Sequence, residues 1–173
     1  MSLSTRMYAI NHQDAAQCVI ANGMERNGDH VWFNFEGLKG IGKSSLGKEL
    51  ARLLPTHELR YIDTTSMTAG DSGIPKFKEA DEQDFVRYVA NEVLGLHTNK
   101  PLIIMLDELS KASREVMLPF LRLGLEREMY GYRLHPDSVV ISNGNLTVEN
   151  LGDGYQAHQL DRFTVMELRT PTN

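Results

Sequence analysis

The sequence of 173 residues has little of several features that would place it in a special structural class. It contains one cysteine, Cys18, which has no partner for an internal disulfide or a shared metal. We therefore expect Cys18 to be a small buried apolar side chain. Its 14 glycines and 6 prolines are too few for a collagen-like or low-complexity chain. These absences leave a globular domain with an ordinary hydrophobic core.

Long apolar runs and an excess of positive charge are also missing. Apolar runs such as residues 102–106 are far too short to span a bilayer, and the first residues lack the apolar core of a signal peptide. The sequence has 18 lysines and arginines against 23 aspartates and glutamates, a net charge of −5, so no overall positive field attracts nucleic acid or anionic lipid. We therefore expect a cytoplasmic protein with neither a membrane nor a nucleic-acid partner.

Length and hydrophobic periodicity predict one α/β domain. The chain is long enough for one hydrophobic core but too short for two full-sized domains. Segments of helical period alternate with short β-branched or aromatic segments, which is typical of βαβ units and a parallel sheet. The predicted helices cover residues 12–24, 44–54, 81–97 and 113–129, the predicted strands cover 31–35, 59–63, 102–106 and 138–142, and residues 64–78 are predicted to form an exposed loop. The charged run at 126–128 indicates an exposed helical face.

A glycine-rich segment between a predicted strand and a predicted helix carries the clearest chemical pattern. Residues 37–44, GLKGIGKS, match G-x-x-x-x-G-K-[ST] at every fixed position. The glycines let backbone N–H groups surround phosphate oxygens at the positive end of a helix. Lys43 would then reach the β- and γ-phosphates, and Ser44 would ligate Mg²⁺. The alternative is a glycine-rich turn without a ligand. The predicted nucleotide-binding residues are Gly37, Gly40, Ile41, Gly42, Lys43, Ser44 and Ser45.

Two acidic residues follow the apolar strand predicted at 102–106. Asp107 and Glu108 lie at the carboxyl end of this strand, where parallel α/β sheets bind their ligands. Asp107 would hold the Mg²⁺ shell, and Glu108 would polarise the water that attacks the γ-phosphate. The alternative is a solvated acidic turn that caps the next helix.

Two further polar positions come later in the chain. Asn143 and Asn145 follow the strand predicted at 138–142, and either amide could hydrogen-bond the γ-phosphate or the attacking water; the alternative is an Asn-Gly turn. Arg162 stands between apolar neighbours and needs a charged partner. That partner is either a phosphate in a neighbouring subunit or an intramolecular carboxylate such as Asp161 or Glu167.

The order of these motifs resembles that of the AAA+ ATPases, most closely the MoxR-like branch. The matching segments are residues 37–45 (GLKGIGKSS), 102–113 (LIIMLDELSKAS), 139–145 (VVISNGN) and 160–163 (LDRF). The resemblance implies a three-layer αβα P-loop fold with a mainly parallel sheet. The residue roles that it implies are Walker A for Lys43 and Ser44, Walker B for Asp107 and Glu108, sensor 1 for Asn145 rather than Asn143, and arginine finger for Arg162.

The resemblance also implies a function. Residues 1–173 would form one nucleotide-binding αβ domain that binds ATP with Mg²⁺ and hydrolyses it. In a full-length form the protein would assemble with itself into a ring, a hexamer, that remodels an unknown protein client. Residues 71–75 resemble the loop that faces the pore and the client in such rings, with an ordinary surface turn as the alternative. The chain ends without the helical lid of a complete module, so we expect either a piece of a longer protein or a lidless variant, weakly active by itself.

Two other functions fit the same phosphate-binding pattern. A P-loop kinase would transfer the phosphate to a small molecule, although Glu108 and Arg162 favour hydrolysis. A nucleotide-dependent assembly module would bind ATP with little turnover. A nucleic-acid motor has no support, since the sequence has no basic stripe and no aromatic stacking set.

Overall fold

Strands and helices alternate along the computed structural model, which describes residues 8–38, 40–80, 83–144 and 163–169. The strands are β1 (Tyr8–Ile10), β2 (Phe33–Glu36), β3 (Glu58–Asp63), β4 (Gly73–Ala80), β5 (Gln83–Ala90), β6 (Leu102–Asp107), β7 (Glu128–Met129), β8 (Tyr132–Arg133), β9 (Val139–Gly144) and β10 (Thr164–Leu168). The helices are α1 (His12–Asn22), α2 (Lys43–Leu53), α3 (Ala69–Ser72) and α4 (Arg114–Glu126). None of these helices has the length and apolar character needed to cross a membrane.

Six of the strands form one fully parallel sheet. Their order across the sheet is β1-β10-β2-β9-β6-β3. Phe33 of β2 is level with Ile141 of β9, and Asp107 of β6 is level with Asn143 of β9. The carboxyl ends of β2, β9 and β6 therefore lie side by side at one edge of the sheet.

Helices cover both faces of this sheet and bury an apolar core on each. The core under α1 and α2 contains Ala16, Val19, Leu46 and Leu50 against alternate residues of β2, β6 and β9, and the half-buried Cys18 packs against it. The core under α4 contains Val116, Phe120 and Leu123 against the other face of the same strands. The predicted three-layer αβα fold with a parallel sheet is confirmed.

Local contacts determine where α1 begins and how α2 packs on the sheet. Asn11 precedes α1, and its Oδ1 accepts a hydrogen bond from the Asp14 N–H at 2.9 Å, which satisfies one of the free donors at the helix start. Within α2, a Cβ at Gly47 would lie 2.7 Å from the Met105 sulfur. Glycine at this position lets α2 pack directly against the Met105 side chain of β6.

Residues 73–90 fold differently from the sequence-based expectation. The helix predicted over 81–97 is wrong at 83–90, where the chain forms β5. The loop predicted over 64–78 is wrong at 69–72, where the chain forms α3, and from 73 onward, where it forms β4. The two strands pair antiparallel from Gly73 opposite Ala90 to Ala80 opposite Gln83. Aromatic and β-branched residues favour strands, and this cross-strand pairing outweighs the helical spacing of apolar residues on which the expectation rested.

The exposed helical face expected at residues 126–128 is also wrong. The α4 helix ends at Glu126, and Arg127 has a left-handed φ of 57° and is only 1% exposed. Its guanidinium donates to the carbonyls of His135 at 2.9 Å and Ser138 at 2.8 Å. A charged residue can therefore belong to the core when backbone oxygens surround its head group.

Candidate nucleotide site

The glycine-rich segment forms a tight loop between β2 and α2. Gly40 and Gly42 have φ values of 85° and 88°, a conformation that favours glycine. The Gly42 carbonyl accepts hydrogen bonds from the Ser45 hydroxyl at 2.5 Å and from the His12 ring at 3.0 Å, so α1 also holds the loop. His12 was not among the sequence-predicted residues, because only the packing of α1 beside α2 brings it to the loop.

The side chain of Lys43 lies inside this loop. It is 9% exposed, and its Nζ donates to the carbonyls of Gly37 at 2.8 Å and Leu38 at 3.3 Å. The Lys43 side chain therefore lies along the inside of the loop, with its ammonium between the two carbonyls. Both carbonyls are neutral acceptors, so a phosphate oxygen in the loop would compete for this cation with the advantage of its negative charge.

The predicted metal ligand Asp107 is held by a further residue, Tyr61, whose hydroxyl donates to Oδ2 of Asp107. Partial burial and then this hydrogen bond raise the pKa of Tyr61 above its usual value, and the Ser44 side chain lowers that pKa in part, which places Ser44 near the same hydroxyl. Hydroxyl and carboxylate oxygens are the ligands that Mg²⁺ prefers, so Ser44 and Asp107 fit this ion. No local sequence pattern indicated Tyr61.

Glu108 directly follows β6 in a left-handed conformation, with a φ of 53°. Its N–H donates to the Asn143 carbonyl at 3.0 Å, and its carboxylate pairs with the Lys111 ammonium at 2.8 Å. Such a conformation is costly for glutamate and persists only where surrounding contacts impose it. The strand ends therefore fix the backbone of Glu108, while a partly exposed ion pair holds its side chain.

Asn143 lies beside Asp107 at the carboxyl end of β9. It is 2% exposed, and neither its Nδ2 nor its Oδ1 has a hydrogen-bond partner in the part of the chain that the structure describes. It shares the sheet face of Ile141, which belongs to the core under α1 and α2. It therefore lies on the side of the glycine-rich loop at residues 37–44 (the P-loop). Asn145 and Arg162, the other two predicted catalytic residues, lie outside the described residues, and their expected roles stay predictions.

An open groove continues from the P-loop between α1 and α2. It has a volume of about 530 Å³ and is lined by His12, Gln13, Ser45, Lys48, Glu49 and Arg52. A second, smaller cavity of about 310 Å³ lies beside Tyr61 and Asp63 near the base of the β4–β5 hairpin. Of the two, only the groove touches the P-loop, so it provides space for a group attached to a phosphate bound there.

Comparisons with known proteins agree with the fold. No protein-family model matches the chain, and no curated protein matches it significantly. Among solved structures, a candidate ATPase from Cytophaga hutchinsonii aligns with 18% identity and a TM-score of 0.56 over 91% of this chain and 46% of its own. NtrX from Brucella abortus aligns with 16% identity and a TM-score of 0.56 over 92% of this chain and 36% of its own.

A second NtrX structure, solved in complex with ADP, aligns with 14% identity and a TM-score of 0.57 over 90% of this chain and 34% of its own. The chain thus spans less than half the length of each of these proteins. At these identities the likeness establishes the fold alone, an α/β architecture with a mainly parallel sheet.

Proposed function

We propose that this chain is the nucleotide-binding domain of an AAA+ ATPase and hydrolyses ATP with Mg²⁺. One observation carries the proposal. A P-loop, a buried asparagine and an Asp-Glu pair lie at the carboxyl ends of three adjacent parallel strands, β2, β9 and β6 respectively. In open α/β sheets, ligands bind at this carboxyl edge. A glycine-rich turn or an acidic cap by itself would not bring all three groups together.

The residues divide the work by their chemistry. Lys43 would exchange the Gly37 and Leu38 carbonyls for phosphate oxygens, and loop N–H groups would bind the remaining phosphate oxygens. Ser44 and Asp107 would hold Mg²⁺, which neutralises phosphate charge when bound.

The chemical step would fall to Glu108 and Asn143. The Glu108 carboxylate would leave Lys111 to orient the attacking water, and the free amide of Asn143 would hydrogen-bond that water or the γ-phosphate. The groove beside His12 would hold the nucleoside.

The finer proposal is a MoxR-like ring, a hexamer in a longer form, that remodels a protein client. The β4–β5 hairpin supports it, because Ile74, Phe77 and Val86 are 63%, 78% and 49% exposed. Exposed apolar side chains on a projecting element mark an interaction surface. The hairpin begins within residues 71–75, the stretch that resembles the pore-facing loop, and we assign it to the client.

Two substitutions test the site. Lys43→Ala removes the loop cation, so ATP affinity measured by calorimetry should fall at least tenfold, about 1.4 kcal/mol. Glu108→Gln keeps the shape of the side chain but loses the carboxylate, so ATP should bind normally and persist unhydrolysed. Lys100→Ala, which removes an exposed lysine at the amino end of β6, is the control and should change neither quantity. Unchanged affinity in Lys43→Ala would refute the P-loop assignment.

Product analysis separates the other two functions. A kinase would release ADP only when an acceptor molecule is present, and an assembly module would bind ATP tightly without hydrolysis at any protein concentration. Acceptor-independent release of phosphate, abolished in Glu108→Gln, supports the ATPase.

A further inference from the structure

Tyr61 lies on β3, the edge strand next to β6, and points to the same side of the sheet as the P-loop. It is level with Met105, and Asp107 is two residues further along β6 on the same face. A diagonal neighbour at this spacing is within reach of an aromatic side chain. The ring is 45% exposed, so it is not a core residue, and packing alone does not explain a tyrosine here.

The Tyr61 hydroxyl contacts one of the two residues that the proposed function assigns to the metal. It donates a hydrogen bond to Oδ2 of Asp107. The other assigned ligand, Ser44, lies close enough to Tyr61 to influence the pKa of its hydroxyl. The phenol therefore holds the carboxylate of Asp107 and lies beside the hydroxyl of Ser44.

The residue directly opposite Asp107 takes no part in this contact. Asp63 is level with Asp107, but its Oδ1 accepts hydrogen bonds from the Thr65 N–H at 3.0 Å and the Thr65 hydroxyl at 2.6 Å. Its carboxylate caps the turn Thr64–Ser66 instead. Tyr61 is thus the β3 side chain that acts on Asp107.

We propose that Tyr61 is a positioning residue for the divalent cation. Its O–H fixes one carboxylate oxygen of Asp107 and leaves the other free. Outer-shell partners of this kind orient metal ligands, and their loss typically weakens metal binding about 10- to 100-fold. The inference rests on the proposed function, since it concerns the metal of that same site.

Tyr61→Phe tests this role because it keeps the ring and removes only the hydroxyl. The probe is Mn²⁺, titrated into the protein with ADP while free Mn²⁺ is measured by electron paramagnetic resonance. We expect the Mn²⁺ dissociation constant of the ADP complex to rise about tenfold. ADP affinity in EDTA should stay within about twofold, since the Tyr61 hydroxyl donates to Asp107 and the loop that would hold the phosphates keeps all of its own groups. A merely structural role would change both affinities together or neither.

Tyr88→Phe is the matched control, because Tyr88 is 46% exposed but lies on the hairpin. It should leave Mn²⁺ binding unchanged. Wild-type or tighter Mn²⁺ binding by Tyr61→Phe would overturn the inference, and tighter binding would mean that the phenol competes with the metal. If wild-type protein binds no ADP, the proposed function fails as well; if it binds Mn²⁺ and ADP normally and Tyr61→Phe matches it, only the role of Tyr61 fails.

Discussion

At the scale of single residues, two buried asparagines on neighbouring strands show how function and stability separate. Asn34 on β2 is satisfied: its Oδ1 accepts from the Ser142 hydroxyl at 2.8 Å, and its Nδ2 donates to Glu36 at 3.4 Å. Asn143 on β9 leaves both amide atoms without a partner in the described part of the chain. A buried polar group without a hydrogen bond costs free energy, so the fold retains Asn143 at a cost that a ligand would offset.

Substituting leucine for each asparagine distinguishes the functional role of Asn143 from the structural role of Asn34. Asn143→Leu should leave the free energy of unfolding unchanged or raise it by about 1 kcal/mol, while lowering the ATP hydrolysis rate at least tenfold. Asn34→Leu should lower the free energy of unfolding by about 2 kcal/mol, because it removes the acceptor of the buried Ser142 hydroxyl. Urea unfolding followed by the fluorescence of Trp32, the single tryptophan, measures both. Loss of stability in Asn143→Leu would make this residue structural.

Arg127 is the opposite case, a buried charge that serves the fold. Besides the carbonyls of His135 and Ser138, it contacts Glu25 at 3.2 Å. Burial lowers the pKa of Arg127, and the Glu25 charge opposes this shift. These contacts tie the end of α4 to the segment before β9, at the sheet edge opposite the P-loop.

Removing this guanidinium should therefore destabilise the protein without touching the site. Arg127→Leu should lower the free energy of unfolding by about 3–5 kcal/mol, since it removes the buried donor of the Ser138 carbonyl and one of the two arginine partners of Glu25. Arg122→Leu, on the exposed side of α4, removes a surface pair with Glu126 and should cost less than about 1 kcal/mol. Equal urea midpoints for the two variants would contradict this difference.

At the scale of elements, the sequence predicted what depends on local pattern and missed what depends on distant pairing. The helices α1, α2 and α4 and the strands β2, β3, β6 and β9 all lie where periodicity, caps and glycines indicated. The β4–β5 hairpin was missed, because its strands are specified by each other and residues 85, 89 and 93 also have helical spacing. Tyr61 was missed for a related reason: its role depends on the register of β3 with β6, which no local signal contains.

The hairpin also carries the client prediction. Its base is anchored, since Tyr88 stacks on Tyr130 with ring centroids 5.2 Å apart, whereas Phe77 is 78% exposed. Phe77→Ser should weaken binding of a labelled unfolded polypeptide, reduced and carboxymethylated α-lactalbumin, at least fivefold in fluorescence anisotropy. Leu118→Ser, which removes a 45% exposed leucine from α4, is the control. Equal affinities for the two variants would remove the hairpin from client binding.

At the scale of the whole molecule, the parallel sheet places Phe163 and the P-loop at opposite ends of its strands. Phe163 precedes β10 and packs on Trp32 at the amino end of β2, with ring centroids 5.3 Å apart. Thr164 is level with Phe33, so Phe163 lies about five residues, or roughly 16 Å, below the start of the P-loop at Gly37. Arg162, the residue before Phe163, lies outside the described residues, and its expected action on a neighbouring subunit stays a prediction.

Action in trans has a consequence for kinetics. If one subunit's Arg162 completes another subunit's site, hydrolysis requires assembly, and the specific activity should rise with protein concentration. Arg162→Ala should lose this rise without losing ATP binding. Mixing Arg162→Ala with Lys43→Ala should partly restore turnover, because the first variant keeps an intact phosphate loop and the second supplies the arginine. Phosphate release from the mixture, compared with each variant alone at the same total concentration, measures the effect. Activity that is independent of concentration, in wild type and Arg162→Ala alike, would assign Arg162 to an intramolecular ion pair and leave the ring without its main support.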